Sequence, residues 1–184
     1  MLNDLDLTKE RPLIEFSNND MDKLSFFCFD QNNLNLEIGT LIYEELRLRK
    51  SSSSKKLLTD VLSKFSSAGH EPIKWLNNAR SVMKKINKVD TNPNYTNSIY
   101  IILRDGYTLQ NEKYGVYVGQ TSKTIEERFI EHISGNNSGR GLEKYGIQLM
   151  RSLWLNGKVK GSKRLYYETK VHVALEEVIP KVSG

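Results

Sequence analysis

Residues 115–135 read GVYVGQTSKTIEERFIEHISG, and the fold of the C-terminal half follows from this stretch. Its first six residues have the composition of a β-strand, and a second β-rich run, SIYIIL, stands upstream at 98–103. Asp105-Gly106 opens the connection between them, as a hairpin-like turn does. Strand alternation places Tyr100 and Ile102 on one face and Ile99, Ile101 and Leu103 on the other. Tyr117 faces away from Val116 and Val118, so antiparallel pairing lets the two tyrosines share a face. Downstream, Thr124-Ile-Glu-Glu127 is a capping-box pattern that starts a helix, which should end near Gly135. Ile125, Phe129 and Ile133 recur every fourth residue and form its apolar stripe. Arg128 and His132, also four apart, project together from the edge of that stripe. They are either a snorkelling arginine beside a boundary histidine or a cation–imidazole pair presented to a site.

Toward the C-terminus, residues 146–154 (GIQLMRSLW) fit a strand or a short helix. A last helix is expected over about 166–179. Glu168 shares a face there with Val171, His172, Leu175 and Ile179, while Lys170, Glu176 and Glu177 fill the outward positions. A carboxylate at the head of an apolar stripe needs a partner, either a cation or a metal. Stabilisation by the helix dipole at a first turn is the alternative. His172 reads as an ordinary boundary histidine.

The N-terminal half is different in character. Eight of the nine tyrosines lie from residue 95 onward. Before it, helical spacing dominates: 34–50, with Leu34, Ile38, Leu41, Ile42 and Leu46 inward; 55–65, capped from the serine break 51–54; and 72–88. A short strand is expected around 24–29, and 90–94 (DTNPN) reads as a linker. The chain thus divides into a mainly helical region, 1–90, and a second domain, 91–184. Charge is distributed unevenly: 1–45 carries net −7, 46–90 net +8 and 91–184 net +4. The middle third is the electrostatic candidate for a phosphate backbone, the alternative being a solvated helical surface.

Of the 184 residues, 38% are hydrophobic and 27% charged, an ordinary globular balance. No apolar run approaches the length of a membrane-spanning helix. The acidic start, MLNDLDLTKE, lacks the pattern of a signal peptide. The single Cys28, between Phe27 and Phe29, excludes an internal disulfide and a multi-cysteine zinc site, and reads as a core residue. A cytoplasmic protein that does not engage membranes is the expectation.

Ser98-Ile-Tyr100, Tyr117-Val-Gly119, Arg128 and His132, and then Glu168 resemble, in that order, the GIY-YIG nuclease superfamily. The resemblance covers about 97–184, and residues 117–135 carry most of it. Ser98 stands where the first motif has Gly, and Val118 where the second has Ile. Sixteen residues separate the two tyrosines, which implies an extended hairpin loop, and no Asn follows Glu168. The resemblance implies an α+β domain, a small antiparallel β-sheet flanked by helices. It also implies a metal-dependent endonuclease that hydrolyses phosphodiester bonds of DNA, duplex or branched, with one divalent ion, Mg2+ or Mn2+. Glu168 would hold the metal and Arg128 the phosphate. Tyr100 would activate the attacking water, Tyr117 would hydrogen-bond phosphate or nucleophile, and His132 would contact phosphate or accept a proton. A catalytically silent nucleic-acid-binding module on the same scaffold is the alternative, and such a module is expected to have lost one of the five residues.

Overall fold

The computed structural model describes residues 5–30, 34–90, 95–106, 113–135, 139 and 141–184. They form an α+β protein of two compact units, Met1–Leu76 and Asn77–Gly184. Of the linker expected at 90–94, Asp90 ends a helix instead, and 91–94, like the hairpin loop at 107–112, lie outside the described residues.

In the first unit, α1 (Asn18–Cys28), α2 (Leu36–Leu48) and α3 (Ser52–Ser67) pack on one another. Residues 24–29, expected as a strand, belong mostly to α1. Ser17 and Asp20 form a reciprocal capping box, and Met21, Leu24, Ser25 and Cys28 are buried at helical spacing. The Asp in the box, where Glu or Gln is usual, hid that signature. Cys28 is a core residue, and burial pushes its thiol up to about 12. Helices α2 and α3 stand where the sequence places them, the latter capped by Ser51. An ion triad centred on buried Glu45 ties the N-terminal segment to α2. Glu45 accepts from Arg11 (2.8 Å) and Arg49 (2.8 Å), while Arg49 also donates to the carbonyls of Leu13, Ile14 and Phe16. Burial alone would raise the Glu45 carboxyl, but the two guanidinium partners outweigh it and hold it below its ordinary value.

The second unit contains nearly all of α4 (Leu76–Asp90) and a five-stranded sheet. Strand β1 (Asn97–Asp105) is central and pairs antiparallel along its length with β2 (Tyr114–Thr121). Its other edge is shared by β3 (Gly146–Leu149) near one end and β4 (Leu155–Val159) near the other. The sheet is mixed rather than purely antiparallel, because β5 (Val182–Ser183) joins β2 in parallel. Helix α5 (Ile125–Ile133) follows β2, α6 (Leu142–Tyr145) precedes β3, and α7 (Arg164–Glu176) packs on β1 and β2. Tyr100, Ile102, Ile125 and Leu142 form a core on one sheet face, with Tyr117, Phe129, Leu149 and Trp154 against it. Among the described residues no helix is long and apolar enough to cross a membrane.

Ser98 has a structural role in this unit. It is buried, accepts the backbone N–H of Gly157 (2.8 Å) and donates to Asn156 Oδ1 (3.1 Å). Gly157 has φ +63°, so strand β4 combines a left-handed residue with a side-chain anchor from β1. Ser98→Ala removes both bonds. It should cost about 1–3 kcal/mol and speed hydrogen exchange at the Gly157 amide, measured by NMR, while the β1–β2 amides exchange as before.

Candidate active site

The β1–β2 register places Tyr100 opposite Gly119 and Tyr117 opposite Ile102. Directly opposed residues of an antiparallel pair share a face, so the two tyrosines lie on the same side, as the alternation predicts. The close approach depends on glycine. A Cβ on Gly119 would lie 2.5 Å from Tyr100 Cζ and 2.8 Å from Tyr117 Cε1. A Cβ on Gly139 would lie 2.7 Å from the other edge of the Tyr117 ring, at Cε2.

Helix α5 completes the cluster. Thr124 and Glu127 form the expected capping box. Its inward face, however, is not the predicted stripe. Ile125 is buried and Phe129 half-buried, but Ile133 is 44% exposed, and His132 takes the inward place of the last turn with no exposure. An imidazole tolerates this position because both ring nitrogens are engaged. The Gly139 N–H donates to Nδ1 (2.9 Å), and Nε2 lies 2.7 Å from the Tyr100 hydroxyl. Nδ1 therefore carries no proton, and neutral His132 donates its Nε2–H to Tyr100. The rings of Tyr100, Tyr117 and His132 form a triangle with centroid separations of 6.3, 5.7 and 5.4 Å.

Arg128 reaches the same place. It donates to Glu131 (2.8 Å) and hydrogen-bonds Tyr100, and Glu131 in turn is paired with Lys123. Burial opposes the Arg128 charge, but the bonds to Glu131 and Tyr100 outweigh it and raise the guanidinium above its ordinary value. Burial pushes the Tyr100 phenol up, and neighbouring Tyr117 adds to this, while Arg128 works against both. Tyr117, half-buried, is also raised, first by burial and then by the charge of Glu168. Glu168, on α7, is thus within electrostatic reach of the Tyr117 hydroxyl. Its Oε2 accepts from Gln120 Nε2 (2.8 Å). His172, also on α7, lies 3.7 Å from Glu176 of its own helix.

Three contributors were not singled out in the sequence. Arg104 is buried, donates to the Ser183 hydroxyl (2.9 Å) and favours the charged form of Tyr117. Counting by twos from Tyr100 through Ile102 leads to it. Gln120, directly after the second motif's glycine, holds Glu168, and Glu131, one turn after Arg128, holds the arginine. Among the described residues no three of His, Cys, Asp and Glu gather as a metal cluster. Compared with known proteins, the chain matches no family model, no curated protein and no solved structure.

Gly119→Ala should lower the melting temperature through a loss of roughly 1–3 kcal/mol, because the new methyl can be admitted only by moving both tyrosine rings. A pH dependence follows from His132, whose imidazole is pushed down to about 4, first by burial and then by Arg128. The unfolded chain takes up this proton as pH falls through about 6.5, whereas the fold stays neutral to about 4. The histidine's contribution to stability is complete above pH 6.5 and is lost as pH falls towards 4. His132→Gln should therefore show a shallower loss of denaturant stability than the wild type over that window.

Proposed function

We propose that the second unit is a metal-dependent endonuclease that hydrolyses DNA phosphodiester bonds in the manner of the GIY-YIG nucleases. The observation that carries this reading is the gathering of Tyr100, Tyr117, Arg128 and His132 from two strands and one helix, with Glu168 in electrostatic reach. An apolar core has no use for such a set. Two phenols, a neutral imidazole and a buried-edge guanidinium fit the handling of an anion and a proton.

Arg128 supplies forked donors to the phosphate, where negative charge grows as the nucleophile attacks. Its Glu131 contact holds the guanidinium in place in the meantime. Tyr117, the less buried phenol, contacts the phosphate or the attacking water, and Tyr100 behind it takes the water's proton as a phenolate, having first released its own proton to solvent. The tautomer of His132 supports this order, since the nitrogen facing Tyr100 already bears a proton and stabilises a phenolate by donation. Arg128 acts in the same direction.

Glu168 is the residue that would hold a divalent ion. A single carboxylate, secured by Gln120 at one oxygen, suits magnesium, which keeps most of its waters and takes few protein ligands. When bound, the ion polarises the phosphate and stabilises the leaving oxygen. The basic segment 46–90 is the proposed source of non-specific attraction to DNA.

Tyr100→Phe should keep the fold and lower cleavage of a duplex or branched DNA substrate by ~10²–10⁴-fold. Glu168→Gln should abolish cleavage in magnesium while DNA binding is retained, and chelator should do the same to the wild type. A wild-type chain that binds DNA but never cuts it would instead favour the silent module. Cleavage at full rate by Glu168→Gln would remove the metal assignment.

A further inference from the structure

Helix α7 has two apolar sides, and the sheet accounts for only one of them. Tyr167, Val171 and Leu175 are buried, as packing on β1 and β2 requires. Away from that side, Leu165, Tyr166 and Val173 stand 70%, 57% and 55% exposed. With Thr169, Lys170, Ala174 and Glu177 they line an open groove along the helix. The outward positions are therefore not simply the charged ones expected from the sequence. A helix with apolar residues on two sides is normally covered on both, and a contiguous exposed patch of this kind marks an interface.

Charge and shape identify the occupant. Lys170 and Glu177 lie two turns apart on the same flank of the groove, with Val173 and Ala174 between them. The Lys170 ammonium lies over the Tyr166 ring, 5.9 Å from its centroid, which keeps it along that flank. An antiparallel copy of α7, related by a two-fold axis between Val173 and Ala174, brings Lys170 of each chain opposite Glu177 of the other. Symmetry makes this match twice. Ala174 has only a methyl at the crossing, so the two backbones can approach closely. A parallel copy would instead set Lys170 against Lys170 and Glu177 against Glu177.

We propose that the outer face of α7 is a homodimer interface, in which Val173 and Ala174 of two copies meet at a two-fold axis and Lys170 pairs with Glu177 of the partner copy. Sedimentation velocity of the full chain over a concentration series up to roughly 100 µM should show a species of twice the monomer mass. Val173→Asp, at a position already half in solvent, should keep the wild-type circular dichroism and weaken association by roughly 10-fold or more. Lys170→Glu and Glu177→Lys should each weaken the dimer through like charges across the axis, and the two together should restore it. Three results overturn the proposal. They are a monomer throughout the series, which would mean a different occupant covers the helix, a dimer indifferent to Val173→Asp, and a double charge reversal no stronger than the single ones.

Discussion

The Tyr100 ring occupies the space where its cross-strand neighbour would otherwise carry a side chain. Gly119 makes that possible, and the rest of the cluster is arranged around the result. With the ring laid against β2, the Tyr100 hydroxyl meets His132 Nε2 at 2.7 Å. Tyr117 is confined in the same way between Gly119 and Gly139, and the backbone of Gly139 fixes the far side of the imidazole. Two glycines thus perform a task that no side chain could: they bring three rings within about 6 Å of one another while leaving their polar atoms pointed inward.

That arrangement has an electrostatic cost, and its distribution is informative. Burial raises both phenols and lowers the imidazole, so all three groups are neutral at pH 7. The charged groups, Arg128 with Glu131 and Glu168 with Gln120, are less buried and carry their own partners. The neutral groups form the floor and the charged ones the margin. Under the proposed function, such a layout would let a phosphate be met by charge at the edge while proton transfer takes place where water is scarce and donors are already oriented. Arg104, buried and engaged with Ser183, adds a cationic field behind Tyr117 without standing at the margin.

Much of this was legible because it is local. Strand alternation placed Tyr100 and Tyr117 on one face, and Thr124 with Glu127 announced α5. The helices α2 and α3 followed from apolar spacing and a serine cap. What escaped depends on contacts distant in the chain. Strand β5 is two residues long and exists only because Gly115 lets the C-terminal segment approach, its absent Cβ lying 2.6 Å from the Lys181 carbonyl. Strand β4 carries Asn156 and Gly157, poor strand formers, and is held by Ser98 from fifty-eight and fifty-nine residues away. On α5, hydrophobicity alone ranked Ile133 inward of His132. The ranking reversed because a histidine with both nitrogens paired can be buried, a fact that resides in Gly139 and Tyr100 rather than in the helix.

Helix α7 shows why a stripe of apolar residues is an incomplete description of a helix. Its sequence, RLYYETKVHVALE, places Tyr and Val on both sides, so the spacing that links Glu168 to Val171 and Leu175 is only one of two that can be drawn. The sheet selects the side with Tyr167, Val171 and Leu175, which leaves Glu168 and His172 along its border, half-buried, where Gln120 can reach the carboxylate. On that border a carboxylate lies within electrostatic reach of Tyr117 without being buried outright, and full burial of an unpaired carboxylate would cost several kcal/mol. Position 168 is therefore set by two demands at once, proximity to Tyr117 and access to solvent. The second apolar side is then left over from the choice the sheet made.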